Sequence, residues 1–162
     1  MRESLPIEVE GGDGDGIRVL RRAGAELDHV GIAVRSLERA CAVYTEMGLD
    51  VGCVEEVAGE HVRVAMVARG ASRIELIEPT DEHSTVARFL ARRGEGLHHI
   101  GLRVRDVEAA LEGAKGRGMR LVSDRMEVGA GGHRYFFVHP ESTGGVLVEV
   151  TEAEPGGGDA GT

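Results

Sequence analysis

The sequence predicts an α+β fold built from two tandem βαβββ modules, and three observations carry that prediction. Sliding the chain against itself by 70 residues lays 27–40 over 97–110 with seven of 14 positions identical, from Leu27/Leu97 through His29/His99 and Gly31/Gly101 to Ala40/Ala110, and Gly48 falls on Gly118. Each copy opens on a short β-branched run followed by apolar residues recurring at three and four, the pattern of a strand leading into a helix. Strand-like runs then follow each helix.

Taken in order, the first module spans 27–80. It reads as a strand over 28–34, a helix, and strands over 49–57, 62–68 and 72–78. A linker helix runs from Thr85 to Arg93 within a linker segment 84–93, with Ser84 as its N-cap and Gly94 closing it. The second module spans 97–152, with a strand over 98–104 and a helix whose face is Val107, Ala110, Leu111 and Ala114. Asp106 supplies the N-cap of that helix and Gly116 or Gly118 stops it. Strands over 119–122, 134–138 and 145–151 complete the module.

Composition narrows the function classes. The chain has 162 residues, 41% of them hydrophobic, and no Trp, so the core must come from Val, Leu, Ile and Ala. The formal charge of −9 lies mostly at the ends. Residues 1–16 hold five acids against one Arg and 152–162 hold three acids, which leaves only −2 on the body. Such a body, with 3% aromatics and no basic cluster, lacks the positive stripe and stacking platforms of a nucleic-acid binder. No apolar run reaches the roughly 18–20 residues of a membrane span, and the acidic N-terminus lacks a secretory signature, so a cytoplasmic protein is expected.

The Gly- and acid-rich segments 1–26 and 153–162 have nothing to bury and read as disordered tails. The Gly-Asp alternation at 11–16 faintly resembles a calcium loop but lacks its terminal Glu, so a tail is the better reading. Cys41 and Cys53 fall in no metal or redox spacing and read as buried or incidental.

The repeat also aligns chemistry. His29 lies on the first strand of one module and Glu75, within Arg73-Ile74-Glu75-Leu76-Ile77, on its last; His99 and Glu149 hold the matching places in the other. A strand His alone is more often a core histidine, and a strand Glu alone usually faces water. Four such residues at matching positions are different: carboxylates so flanked by apolar residues are costly to bury unless compensated, and one divalent cation would compensate both pairs. Two imidazoles and two carboxylates suit cobalt, manganese, nickel, iron or zinc and leave two octahedral positions open.

Asp28-His29-Val30-Gly31-Ile32-Ala33-Val34 and Gly96-Leu97-His98-His99-Ile100 resemble the vicinal oxygen chelate (glyoxalase/bleomycin resistance) superfamily over roughly residues 27–152. Ile74 to Pro79 followed by Ser84 to Leu90, then Gly94 to His99, then His139 to Glu149, resemble most closely its methylmalonyl-CoA epimerases. The resemblance implies an open barrel with a pseudo-twofold axis, closed around a metal held by His29, Glu75, His99 and Glu149. It implies cobalt as the preferred ion, a small acyl-CoA as the partner molecule, and epimerisation by α-proton removal and return through a metal-stabilised enolate. One acid/base carboxylate of some family members falls here on Val64, and the Gln that some carry at the second metal position is Glu75. With that base absent, Glu149 is expected to serve one face of the substrate. Glu75, or a water held near His61, is expected to serve the other. The stretch 44–48 runs one residue shorter than usual.

Other segments carry weaker signals. Ser142, Thr143 and Gly144 offer hydroxyls and backbone amides near the strand of Glu149, a contact for the acid end of a substrate or a plain turn. His61 and His133 are expected at the cavity mouth; His98 and His139 are expected to face away or support loops. Gly129 to His133 reads as a hairpin or substrate-covering loop, because a strand rather than a helix follows it. Arg88, Arg92 and Arg93 could meet coenzyme A phosphates, although cations at a helix C-terminus need no ligand. The rival functions are a glyoxalase-I-like isomerase and a drug-binding resistance protein without catalysis. A homodimer is expected because eight strands in two sheets leave edges open to pairing.

Overall fold

The computed structural model describes residues 24–129 and 132–153. The tails beyond these bounds, with the Gly-Asp segment at 11–16, and two residues of the Gly129–His133 loop lie outside the described residues.

The elements run in the order β1 (Glu26–Ala33), α1 (Leu37–Glu46), β2 (Asp50–Val57), β3 (Val62–Arg69), β4 (Ser72–Pro79), α2 (Thr85–Arg93), β5 (Gly96–Val104), α3 (Val107–Gly116), β6 (Glu127–Val128), β7 (Arg134–Val138) and β8 (Leu147–Glu152). Helix starts follow capping chemistry, at Ser84 and Asp106 as predicted and also at Ser36. Ser36 Oγ accepts from the Arg39 N–H at 3.3 Å and Asp106 Oδ1 from the Ala109 N–H at 2.9 Å, at the same place in the two repeats. Ser84 caps α2 and Gly94 ends it with φ of 76°. After α1 and α3 the chain turns through Gly48 and Gly118, at φ of 82° and 68°, where a side chain would be strained.

The strands form one continuous eight-stranded sheet in the order β2-β3-β4-β1-β5-β8-β7-β6, where two separate sheets were expected. Each module pairs its first and last strands in parallel, β1 with β4 and β5 with β8. The modules join edge to edge through antiparallel β1 and β5, which places the pseudo-twofold axis between those two strands. The sheet curls into an open half-barrel.

The second module departs from the predicted strands at one place. Segment 119–122 is not a strand: it meets β7 through the single bridge Leu121↔Val138, and β6 is instead the two-residue Glu127–Val128. Bends at 122–125, where Ser123 Oγ accepts from the Arg125 N–H, break the pairing before it can extend.

Alternation along the strands sorts the side chains into two sets. Helix α1, through its own Leu37, covers Val34, Ala65, Val67 and Leu76. Helix α3 covers Phe136, Val138 and Val150 through Val107, Ala110, Leu111 and Ala114. The opposite, concave face carries the functional side chains, and α2 packs Val86 and Leu90 against Val62, Val64 and Ile77 at one end of it. Cys41, on α1, is partly buried and Cys53 is exposed; neither is in a disulfide.

Candidate metal centre

Strand register alone brings the four predicted ligands together. Gly31 lies opposite Glu75 on one side and His99 on the other, while Gly101 lies opposite Glu149 and His29. The glycines are required by contact. A Cβ built on Gly31 would sit 2.3 Å from Cε1 of His99, and one on Gly101 would sit 2.2 Å from Cε1 of His29. Each imidazole thus lies across the bare backbone of the other module, which explains why Gly follows His by two residues in both repeats.

The donor atoms converge. His29 Nε2 lies 2.9 Å from His99 Nε2, and the Glu149 carboxylate stands 3.5 Å from His29 and 3.0 Å from His99. The Glu75 carboxylate stands 3.8 and 3.6 Å from the same two nitrogens. Neighbouring ligands on one ion at about 2.0–2.2 Å are themselves roughly 3.0–3.4 Å apart, so these separations fit a single centre. Two carboxylates also balance the charge of a divalent cation. All four donor atoms lie within 4.8 Å of one another.

Both histidines are oriented from behind. The ladder between β1 and β5 shifts register on either side of Asp28, and again opposite His98. These two symmetric bulges turn the residue before each ligand toward the ligand's ring. Asp28 Oδ2 accepts from His29 Nδ1 at 2.9 Å and is itself held by Arg73 and Arg103. His98 Nδ1 lies 3.0 Å from His99 Nδ1. His98 therefore faces inward and lines the cavity, contrary to the expectation that it turns away or supports a loop.

The electrostatics follow from these contacts. Burial pulls His29 down, but the hydrogen bond to Asp28 and the Glu149 and Glu75 carboxylates outweigh it and push its pKa up to about 10. Burial and the neighbouring His99 lower His98 to about 4, so it stays neutral and can accept from His99 Nδ1. Burial raises Glu75. It would raise Glu149 too, but the hydrogen bonds of the two histidines bring that carboxyl down to about 2.

The cluster lies in a cavity of about 650 Å³. His61 and His133 line it as predicted, together with His83, Glu60, Glu127 and Tyr135. Val64 lies in its apolar wall against Val86. Ser142, Thr143 and Gly144 lie in the turn before β8, outside the cavity lining. The Ser142 hydroxyl accepts from the Arg120 N–H at 2.9 Å, and the Thr143 hydroxyl donates to the Val146 carbonyl. His139 caps the 3-10 turn Pro140–Ser142, accepting from the Glu141 N–H. Arg88 donates to the His83 carbonyl and Arg93 stacks over Phe89. Asp28, His98, Glu60 and Tyr135 escaped the sequence reading; only the first two carried a signal, since they align with each other in the repeat.

The profile of the Glyoxalase/Bleomycin resistance protein/Dioxygenase superfamily matches residues 28–137. The chain belongs to that superfamily. It is 36% identical over 129 residues to the human protein named methylmalonyl-CoA epimerase, mitochondrial, covering 78% of this chain and 73% of that one. It is also 36% identical to the ethylmalonyl-CoA/methylmalonyl-CoA epimerase of Cereibacter sphaeroides, covering 78% and 96% of the two chains. A solved structure of a Streptomyces coelicolor methylmalonyl-CoA epimerase variant with 2-nitronate-propionyl-CoA superposes with a TM-score of 0.76 at 35% identity, covering 80% of this chain and 95% of that one. Among the described residues, no helix is long and apolar enough to cross a membrane.

Proposed function

We propose that the protein interconverts the two C2 epimers of methylmalonyl-CoA. The observation that carries this reading is the convergence of His29, Glu75, His99 and Glu149, two from each module, on one point of the cavity. His29, Glu75, His99 and Glu149 would hold a divalent cation, cobalt by preference or manganese, nickel, iron or zinc, and that ion would supply Lewis-acid stabilisation of the negative charge that develops when the α-proton is removed.

The chain's own groups do the rest. His29 and His99 present Nε2 because Asp28 and His98 hold Nδ1. Glu149, a carboxylate at neutral pH, accepts the C2 proton from one face of the substrate, with Glu75 or a water near His61 as the candidates the sequence offers for the other. The apolar wall of Val62, Val64, Met66 and Ile77 keeps water from the carbanionic carbon. The turn of Ser142, Thr143 and Gly144, which lies beyond the cavity lining, receives with His61 the polar ends of a substrate long enough to extend past the cavity. Cytoplasmic placement and a homodimer complete the proposal.

Each purified epimer is incubated with the protein and C2 inversion is followed with and without a chelator, beside metal analysis. Inversion that tracks about one ion per chain supports the reading. Turnover of methylglyoxal with glutathione, and no inversion, would favour the isomerase instead. His99→Ala should lose metal and inversion together; a variant that kept both would reject the site.

A further inference from the structure

Epimerisation requires two acid–base groups on opposite faces of C2, and the apolar wall around Val64 supplies none. The cavity contains a carboxyl outside the ligand set that meets the need. Glu60 ends the 3-10 turn Ala58–Glu60 between β2 and β3, on the side of the sheet remote from the second module. Its side chain crosses the open mouth of the curl to β7, where Tyr135 Oη donates to Glu60 Oε1 at 2.5 Å. The same phenol lies 3.1 Å from Glu127 Oε2 on β6, and Glu127 is exposed. A carboxyl, a phenol and a second carboxyl therefore connect the cavity to solvent across the two edges of the sheet.

A phenol has one proton, which it donates to one carboxyl at a time, while its oxygen can accept another. Tyr135 lies within reach of both Glu60 and Glu127 and can therefore hand a proton between them. Burial raises Glu60 above the ordinary carboxyl range, and the negative charges of Glu149 and Glu127 raise it further against the opposing Tyr135 hydrogen bond. That direction moves it toward the range in which an acid–base catalyst works both ways at neutral pH.

The turn that carries Glu60 is held in place. His61 closes it in a left-handed conformation, φ 55° and ψ 47°, the only non-glycine residue with positive φ among those described. The strained residue is fixed from two sides, by the Thr80 N–H donating to its carbonyl at 2.9 Å and by Asp81 on its ring at 2.7 Å. Beyond Glu60, the rings of Tyr135, Phe137 and His99 follow one another at centroid distances of 5.4 and 5.7 Å, which ties the triad to the metal centre.

Resting on the epimerase reading, we propose that Glu60 is the second catalytic acid–base residue, acting on the face of C2 opposite Glu149, with Tyr135 positioning it and relaying protons to Glu127. In one direction the C2–H bond breaks toward Glu149 and its electron pair moves onto the thioester carbonyl. The Glu60 carboxyl then gives its proton to C2 from the other face and regains one from solvent through Glu127 and Tyr135, while Glu149 releases its proton to solvent. The reverse direction exchanges the two roles.

The test is Glu60→Gln, which keeps shape and removes the titrating oxygen. Each epimer is incubated in deuterated solvent, and C2 deuterium incorporation and inversion are read separately, with metal content and melting temperature as controls. Inversion should fall by about 10²-fold or more. One epimer, the one deprotonated by Glu149, should keep exchanging, and the metal should remain. Tyr135→Phe should slow exchange of the same epimer that Glu60→Gln blocks, an asymmetry that a packing defect does not produce. Inversion by Glu60→Gln within about threefold of wild type, or equal loss of exchange from both epimers with metal and fold retained, overturns the assignment. Wild-type protein that exchanges neither epimer rejects the epimerase reading, and the role of Glu60 with it, an outcome distinct from a defect confined to the variant.

Discussion

At the metal centre, a glycine and a carboxylate do as much as the ligands themselves. Gly31 and Gly101 are conformationally ordinary, and only the imidazole stacked on each explains them. Gly101→Ala should therefore push the His29 ring out of place, at an overpacking cost of about 1–3 kcal/mol. Metal should be lost with the fold retained, read by metal analysis beside circular dichroism. His29 makes a second prediction. With its pKa near 10, the ring is an imidazolium at neutral pH, and an incoming ion must displace that proton. Metal affinity should rise as pH rises, about tenfold per pH unit while one proton is released per ion. Titration calorimetry in buffers of different ionisation enthalpy measures the proton count directly. Asp28→Asn removes the carboxylate that holds Nδ1 and should weaken metal binding roughly 10–100-fold. Both bulges that make Asp28 and His98 face inward depend on a mismatch between two paired strands, which a strand's own alternation does not reveal.

At the level of elements, local chemistry was legible where one residue decides the outcome. Ser36, Ser84 and Asp106 each place an oxygen on an otherwise unpaired amide of the first turn; the starts at Ser84 and Asp106 were legible from side-chain type alone, and Ser36 does the same at the matching place of the first repeat. Ser36→Ala and Asp106→Ala should each cost about 1 kcal/mol. They sit in different modules with no shared partner, so the double variant should lose the sum within about 0.5 kcal/mol, by urea denaturation. Segment 119–122 was less legible, because its apolar residues suit a strand and the bends beyond them decide how far pairing runs. The Glu60–Tyr135 contact was not legible at all. It joins residues 75 apart that meet only because the sheet curls, and nothing in either local sequence marks the meeting.

Across the whole molecule, the repeat revealed the ligands because the two modules contribute equivalent pairs to one centre, His29 with Glu75 and His99 with Glu149. Their junction is the β1–β5 ladder, where two bulges and two bare glycines stand in for ordinary pairing. Without an ion, this junction also gathers two partly buried carboxylates around two imidazoles. A bound cation should therefore stabilise both modules at once, since unfolding either one destroys half of its ligand set. At a free ion concentration 100 times Kd the gain is about 2.7 kcal/mol. For a domain of this size that corresponds to roughly 5–10 °C in melting temperature. Thermal unfolding should then be a single transition, shifted upward by the ion and returned by chelator. His99→Ala and Glu75→Ala, one from each module, should each abolish the shift. Two transitions, of which the ion moves only one, would mean that the modules fold independently and that the centre does not couple them.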